Sequence, residues 1–335
     1  MAARSIPSFC LLCGTLGPSS ALADAPLNYL RSAGPAAGAV LPLTWAVLIV
    51  SLVVIVVISA LVLAAIWRHR REPPSAALVE GEKAGMRWVV WGVGVSCVVL
   101  AATIVGTLQT FARVAPVPDN PGLTVDVVGY QWWWEARYLD RRGAPLFVTA
   151  NEIHIPVGER VLVRLIAADV IHSFWIPALA GKTDLIPGIR NEAWMEAAQP
   201  GVYRGQCAEY CGLQHANMAM LVIAEPRERF DAWEKAQQRA AANPATTGRD
   251  MFEKKCGECH TVRGVSTEAG RTHGPDLTHL MSRTTLAAGT FANTPGHLYG
   301  WIANPRTLKP GTQMPDVALT PQELQAVAAF LATLS

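Results

Sequence analysis

Two long stretches without charge constrain this chain more than anything else in it. Leu41–Ile66 is packed with valine, isoleucine and leucine, and Trp88–Ala112 carries no ionisable side chain other than Cys97. Each exceeds the roughly 20 apolar residues that a helix needs to cross the hydrocarbon core of a bilayer. Trp45, Trp67, Trp88 and Trp91 stand near the ends of these runs, where indoles anchor at a membrane interface. A buried helix of a soluble protein is the alternative, and two such runs in succession fit it poorly. Between them lie Arg68, Arg70, Arg71, Lys83 and Arg87, so the positive-inside rule puts that loop in the cytoplasm. Everything from Arg113 onward then lies on the exported side. With Cys97 as the one titratable group inside either span, the pair reads as an anchor rather than a proton path.

The start of the chain agrees with export. Residues 1–23 read as a signal peptide: Arg4, an apolar stretch around Phe9–Leu16, and Ala21-Leu22-Ala23 before Asp24 as the cleavage site. A 24–112 segment then holds the two helices. Over the full 335 residues, 51% are hydrophobic and 16% charged, which is too apolar for one soluble domain and too polar for a polytopic membrane protein. The net charge of +2 gives no reason to expect a nucleic-acid partner.

Residues 113–225 alternate in strand fashion. Leu123, Val125 and Val127 form one set, Val161, Val163 and Leu165 a second, and Met220–Ile223 a closing run. Prolines and glycines punctuate them at Pro145, Pro156, Gly158, Pro187, Gly188, Pro200 and Gly201. Many short strands between turns predict an all-β sandwich or Greek-key barrel. Its chemistry lies in Cys207-Ala-Glu209-Tyr-Cys211-Gly-Leu-Gln-His215-Ala-Asn-Met218, with His172 upstream. Two thiolates, two imidazoles and a thioether are soft to borderline ligands, suited to copper rather than calcium or magnesium. A one-copper electron-transfer site needs one cysteine; a second one here lets two sulfurs bridge two ions, each with one histidine. Met218 and the Glu209 carbonyl remain as weak axial ligands. A Cys207–Cys211 disulfide and a tetrahedral zinc site from His172, Cys207, Cys211 and His215 are the competing structural readings.

The segment resembles subunit II of haem-copper cytochrome c oxidase, whose binuclear copper centre, CuA, uses these residue types at these positions. The resemblance extends over the two helices, the block Tyr130-Gln-Trp132-Trp-Trp134, the His172 segment and Gly181–Gly188, or roughly residues 40–225. It implies a cupredoxin fold, a magnesium site shared with subunit I and faced by the Glu209 carboxylate, and a place for Trp132 where electrons reach the copper. In many relatives a glutamate near the second helix serves proton uptake; Glu80 and Glu82 give no secure match, so that role stays unassigned.

Residues 226–245 form a helix and linker, with Phe230 and Trp233 on one helical face. Beyond them, in a 246–335 domain, stands Cys256-Gly-Glu-Cys259-His260, the signature of covalent haem c attachment, with two thioethers and a proximal histidine. No βαβ pattern surrounds it to favour a thioredoxin-like pair. Met314, on the loop Lys309-Pro-Gly-Thr-Gln-Met314-Pro, is the expected sixth ligand, and a Met/His pair raises the potential of the iron. Met251 and Met281 are explained by packing, and His273 and His279 offer a bis-histidine alternative. Pro275 matches the cytochrome c pattern in which a proline carbonyl accepts the proximal histidine N–H. Thr320-Pro-Gln-Glu323 predicts a capping box ahead of a last helix, and another helix begins at Thr294-Pro295. The segment resembles a small all-α class I cytochrome c.

The whole chain therefore resembles an oxidase subunit II with a fused cytochrome c domain, as in the caa-type haem-copper oxidases. That implies an electron-transfer subunit of the bacterial inner (cell) membrane, with both metal domains on the periplasmic side. Its partners would be a haem-copper subunit I that reduces oxygen, a subunit III, and a cytochrome c-type donor. Once His172, His215 and His260 are assigned, His69, His154, His273, His279 and His297 remain, none inside a predicted span, so oxygen reduction falls to a partner. A membrane-anchored copper-binding assembly protein with a fused cytochrome is the alternative. Quinol oxidase subunits generally lack these copper ligands, and nitrous oxide reductase needs a histidine-rich domain that this chain does not have.

Overall fold

The computed structural model describes residues 27–69, 82–241, 247–265 and 274–335. The signal peptide, Arg70, Arg71, Glu80, most of the linker near 245 and His273 lie outside the described residues. The apolar runs form α1 (Pro35–His69) and α2 (Glu82–Val114), each longer than the uncharged stretch, and α1 continues through Pro42. Their apolar side chains point outward, unburied by protein. Ser96, Thr103 and Thr107 turn their hydroxyls back onto the carbonyls of Gly92, Val99 and Thr103, which keeps those polar groups satisfied in lipid. Gly106 lies where a Cβ would come within 3.2 Å of Leu43 Cδ1, so a small residue allows the two helices to approach there.

Both helix ends nearest the exported domain are pinned to it. Ala33 and Ala37 donate their N–H groups to Ala178 and Leu179 carbonyls at the head of α1. Gly34 has no room for a side chain, since a Cβ would fall 2.0 Å from the Glu196 carbonyl oxygen. At the tail of α2, the Trp194 indole N–H donates to the Val114 carbonyl at 2.8 Å.

The exported β domain is two five-stranded sheets. One has the order β3 (Pro145–Ala150), β2 (Trp133–Leu139), β1 (Leu123–Tyr130), β5 (Val161–Ala167), β8 (Asn191–Met195). The other runs β4 (Glu152–Pro156), β10 (Ala219–Glu225), β9 (Gly201–Cys207), β6 (His172–Trp175), β7 (Thr183–Leu185). The alternation seen in the sequence sets the register: Val125 pairs with Val163 and Val127 with Leu165, all fully buried. That β1–β5 pairing is parallel, as is β4–β10, because the chain crosses between sheets in Greek-key fashion. Trp134, Tyr138, Ile153, Ile155 and Leu185 fill the space between the sheets.

Helix α3 (Arg227–Gln237) closes the edge of this core. Its Trp233 stacks on His154 at 4.0 Å, and His154 bonds Glu225 at 2.9 Å, an ordinary structural role for that histidine. The C-terminal domain comprises α4 (Thr247–Lys255), the short hairpin β11 (Thr285–Leu286) and β12 (Phe291–Ala292), α5 (Pro295–Ala303), α6 (Pro305–Leu308) and α7 (Pro321–Leu331). Helices α4 and α7 cross closely at Gly248, where a Cβ would lie 2.1 Å from the Ala326 carbonyl, and Phe252 meets Phe330 beside it. Thr320 and Glu323 form the expected capping box, and Thr294 caps α5 through the His297 N–H.

Candidate metal centre and haem pocket

The copper-type ligands gather at one end of the second sheet. His172 is the first residue of β6 and Cys207 the last of β9, and these strands pair with Phe174 opposite Cys207. The Cys207 N–H donates to the Met218 carbonyl, and the Ala208 N–H to that of Ser173, each at 3.0 Å. The intervening loop brings Cys211 Sγ to 3.8 Å from Cys207 Sγ. That gap is far from a disulfide bond of about 2.05 Å, and both cysteines are free.

Each sulfur has its own imidazole. His172 Nδ1 is 3.9 Å from Cys207 Sγ and His215 Nδ1 is 3.6 Å from Cys211 Sγ. The donor atoms of His172, Cys207 and Cys211 lie within 4.8 Å of one another, and His215 falls outside that group. One tetrahedral ion held by all four is therefore a poor fit, whereas two ions sharing the sulfurs suit the arrangement. The Glu209 carbonyl is 3.3 Å from Cys207 Sγ, and Met218 Sδ is 3.8 Å from Cys211 Sγ, one weak donor beside each sulfur.

Electrostatics prepare these groups. The hydrogen bond from the Cys211 thiol, helped by His172, holds Cys207 far below the usual thiol range, and the same bond pushes Cys211 up. Burial opposes charge on His172, but its bonds to Asp169 and Cys207 outweigh it and raise the imidazole. Asp169 Oδ1 bonds His172 Nε2 at 2.8 Å, which leaves Nδ1 toward the sulfurs. Asp169 also accepts the Gln131 N–H at 2.7 Å. Gly129 lies flat against the imidazole, since a Cβ would sit 3.0 Å from His172 Cδ2.

Trp132 is buried, and its indole N–H donates to the Cys211 carbonyl at 2.9 Å. Gln131 Nε2 donates to the same oxygen at 2.7 Å. Gly212, at φ +110°, makes room for both: a Cβ would fall 3.0 Å from Gln131 Nε2 and 3.1 Å from the Trp132 ring. Trp133 stacks on Tyr130, while Trp134 packs edge-on to His172. The three neighbouring tryptophans thus do different things.

In the C-terminal domain, His260 is half-buried and its Nδ1 faces the Pro275 carbonyl at 2.9 Å, which fixes the orientation of the ring. Gly274 allows this approach, because a Cβ there would lie 2.7 Å from the ring. His260 and Met314 line one apolar cavity with Cys256, Leu280, Leu298 and Ile302. An adjoining cleft of about 1460 Å³ is bordered by Cys259 on one side and by Tyr130, Trp132 and Trp133 of the β domain on the other. An apolar slot flanked by a histidine, a thioether and two cysteines would suit a haem. Burial pushes the Cys256 thiol up to about 11. His279 is spent on the carbonyls of Arg239 and Ser335, and Met251 and Met281 pack against the domain core, so none of the three borders the cavity.

Sequence reasoning missed four contributors. Asp169 was visible as a carboxylate three residues before His172. Gln131 and Gly212 carried no signal of their own. Lys309 stands in the quoted Met314 loop, yet it is 3% exposed and contacts both domains. Burial pushes its ammonium down to about 7, with Cys211 acting weakly the other way.

Comparison with known proteins gives the family. The profile of "Cytochrome C oxidase subunit II, periplasmic domain" matches residues 141–225, and that of "Cytochrome c" matches 245–335. The "Cytochrome c oxidase subunit 2" of Alkalihalophilus pseudofirmus is 35% identical over 96% of this chain and 94% of its own length. That of Bacillus sp. (strain PS3) is 33% identical, covering 73% of each chain. The crystal structure of the periplasmic domain of subunit II of cytochrome oxidase from Bradyrhizobium japonicum is 33% identical, covers 37% of this chain and 97% of that one, and has a TM-score of 0.34. With both of its exported domains matched and a full-length relative covered almost from end to end, this chain belongs to the cytochrome c oxidase subunit II family, in the form that carries a C-terminal cytochrome c domain.

Proposed function

We propose that this chain is the subunit at which electrons enter a haem-copper oxidase, through a covalent haem c and a binuclear CuA centre. His172, Cys207, Cys211, His215, Met218 and the Glu209 carbonyl would hold two coppers. Cys256, Cys259, His260 and Met314 would hold the haem, with Pro275 orienting the proximal imidazole. When bound, these groups supply one-electron carriers, so that electrons pass from a cytochrome c-type donor to haem c, then to CuA, then to subunit I for oxygen reduction coupled to proton pumping. The observation that carries the proposal is the pairing of each sulfur with a separate imidazole, with His215 outside the tight His172–Cys207–Cys211 group.

The chain's own residues do the positioning. Asp169 fixes the His172 tautomer, and the Gln131 and Trp132 N–H groups hold the Cys211 carbonyl and so the loop behind that sulfur. Trp132 lies between the copper loop and the haem cleft, which supports its role on the electron route. The half-buried Glu209, whose carbonyl is turned to Cys207, would present its carboxylate to a magnesium ion shared with subunit I. The spans α1 and α2 would seat the chain in a bacterial inner membrane beside subunits I and III, with both domains periplasmic.

Electron paramagnetic resonance of the purified chain tests the copper assignment. The expected signal is the multi-line hyperfine pattern of one electron shared by two copper nuclei. A Cys207→Ser variant should lose it and keep a normal haem spectrum. A one-copper pattern, zinc in place of copper, or a Cys207–Cys211 disulfide would end the proposal, and readily exchangeable copper would favour an assembly role. For the haem, Met314→Ala should lower the potential; an unchanged potential would remove Met314 as the axial ligand.

A further inference from the structure

The ammonium of Lys309 sits in a cage of three carbonyls drawn from both exported domains. Its Nζ donates to Trp132 O at 3.0 Å, Asn217 O at 2.8 Å and Ala287 O at 2.9 Å. Those bonds use all three of its donors. The first oxygen belongs to the tryptophan that bonds the Cys211 carbonyl, the second to the residue before Met218, and the third to the haem domain. Burying a lysine is costly unless each donor is matched, and an exposed loop before Met314 would need no such residue. The neighbouring backbone repeats the contact. Pro310 O accepts the Gln214 side-chain amide at 2.8 Å. Gly311, at φ +85°, lies where a Cβ would come within 2.9 Å of Leu213 and 3.4 Å of the Trp132 ring. A second patch lies away from this loop: Glu152 Oε1 accepts the Thr284 and Thr285 N–H groups, and the Ala219 N–H donates to Ala288 O.

We infer that Lys309 is a positioning residue that clamps the haem-side loop onto Trp132 and the copper loop, so that the two exported domains act as one rigid body rather than as a tethered shuttle. This rests on the reading of the two cofactor sites given above. Had the haem domain swung on its linker, it would meet the copper domain through exposed, screened contacts. Three matched bonds to a desolvated ammonium instead tie Met314's loop and Met218's loop to one point.

The test uses the full chain in detergent, as wild type and as Lys309→Met, which keeps the length of the side chain and removes the ammonium. Hydrogen exchange is read first, without turnover. Peptides spanning Ala219 and residues 309–314 should be protected in the wild type and should exchange at least about tenfold faster in the variant. Photochemical reduction of the haem then gives the haem-to-copper transfer rate. It should be independent of glycerol viscosity in the wild type, and at least about tenfold slower and viscosity-dependent in Lys309→Met, with both optical spectra unchanged. If Lys309→Met assembles neither cofactor, Gln214→Ala, which removes the bond to Pro310, enters the same measurements with a smaller shift in the same direction. Viscosity-dependent transfer in the wild type, or a variant that matches it in exchange and rate, would overturn the clamp and leave the cofactor reading standing. A wild type with normal haem whose copper never accepts its electron would instead overturn the functional reading.

Discussion

The chain carries two pairs of cysteines on its exported side, and the fold puts them in different surroundings. Cys207 and Cys211 are 3.8 Å apart at the end of a packed sandwich, where the bond from Cys211, helped by His172, holds the Cys207 thiol low. Cys256 lies at the wall of an apolar slot, where burial, with Cys259 beside it, pushes its thiol up, and burial with Glu258 does the same for Cys259. The first pair is split by its mutual bond, Cys207 lowered and Cys211 raised, with an imidazole beside each sulfur; the second is suited to becoming part of a covalent attachment. Each pair also relates differently to its domain's core. Trp134, Ile153 and Leu185 pack between the sheets whatever the sulfurs hold. By contrast, Leu280, Leu298 and Ile302 of the C-terminal core also face the cavity that His260 and Met314 flank. Without a ring in it, those side chains lose packing partners on one side.

That contrast can be broken by substitution. The largest effect is expected for Cys256→Ser combined with Cys259→Ser, which should leave the C-terminal domain without a retained haem. A cavity of that kind costs about 3–5 kcal/mol, as the loss of a large core side chain does. Melting of that domain, followed by circular dichroism, should then fall by at least about 15 °C. Cys207→Ser, compared with copper-free wild type, should shift the β-domain transition by no more than about 1 kcal/mol, because it exchanges a single atom at the edge of the core and the hydroxyl keeps the Glu209 carbonyl as its acceptor. Equal losses in the two domains would dissolve the distinction.

Asp169→Asn sharpens it. The amide cannot hold the His172 tautomer as a carboxylate does, so copper affinity should fall by about 10–100-fold in a chelator competition while the haem spectrum stays unchanged. Unaltered affinity would make Asp169 a loop anchor for Gln131 only.

The smallest effect concerns pH. Burial between Trp233 and the sheet lowers the His154 pKa despite its bond to Glu225. Its neutral form is therefore favoured in the fold, while the unfolded chain takes up a proton near pH 6.5. Below that pH the unfolded state binds more protons, so β-domain stability should decline as pH falls from about 6.5 toward the folded value, and stay flat above it. Urea midpoints across that range should lose this slope in His154→Gln.

Local rules carried much of the architecture. Val125 and Val127 alternate because one face of β1 is dry, and Thr320 with Glu323 starts α7 because the two satisfy each other's backbone N–H groups. The copper-type residues were legible because soft side chains rarely cluster without a metal, and the haem motif because its cysteines and histidine are adjacent. The parallel pairing of β1 with β5 was not legible, since it depends on which sheet a strand joins after the chain crosses over. Nor was the split between Trp132, Trp133 and Trp134, whose side chains diverge within three residues.

The sequence by itself determined what this protein is made of: two membrane spans, a β domain with copper-type ligands, and a helical domain with a haem motif. Those features are set by residue type and by spacing along the chain. Only the tertiary structure decided how the parts meet. The haem segment is nearly neutral and the copper segment mildly acidic, a difference too small to fix any docking geometry once salt screens it. Lys309 looks like one more surface lysine until Trp132, Asn217 and Ala287 close around it. A hydrogen bond's worth depends on the water it has lost, and that is known only when distant segments are packed together.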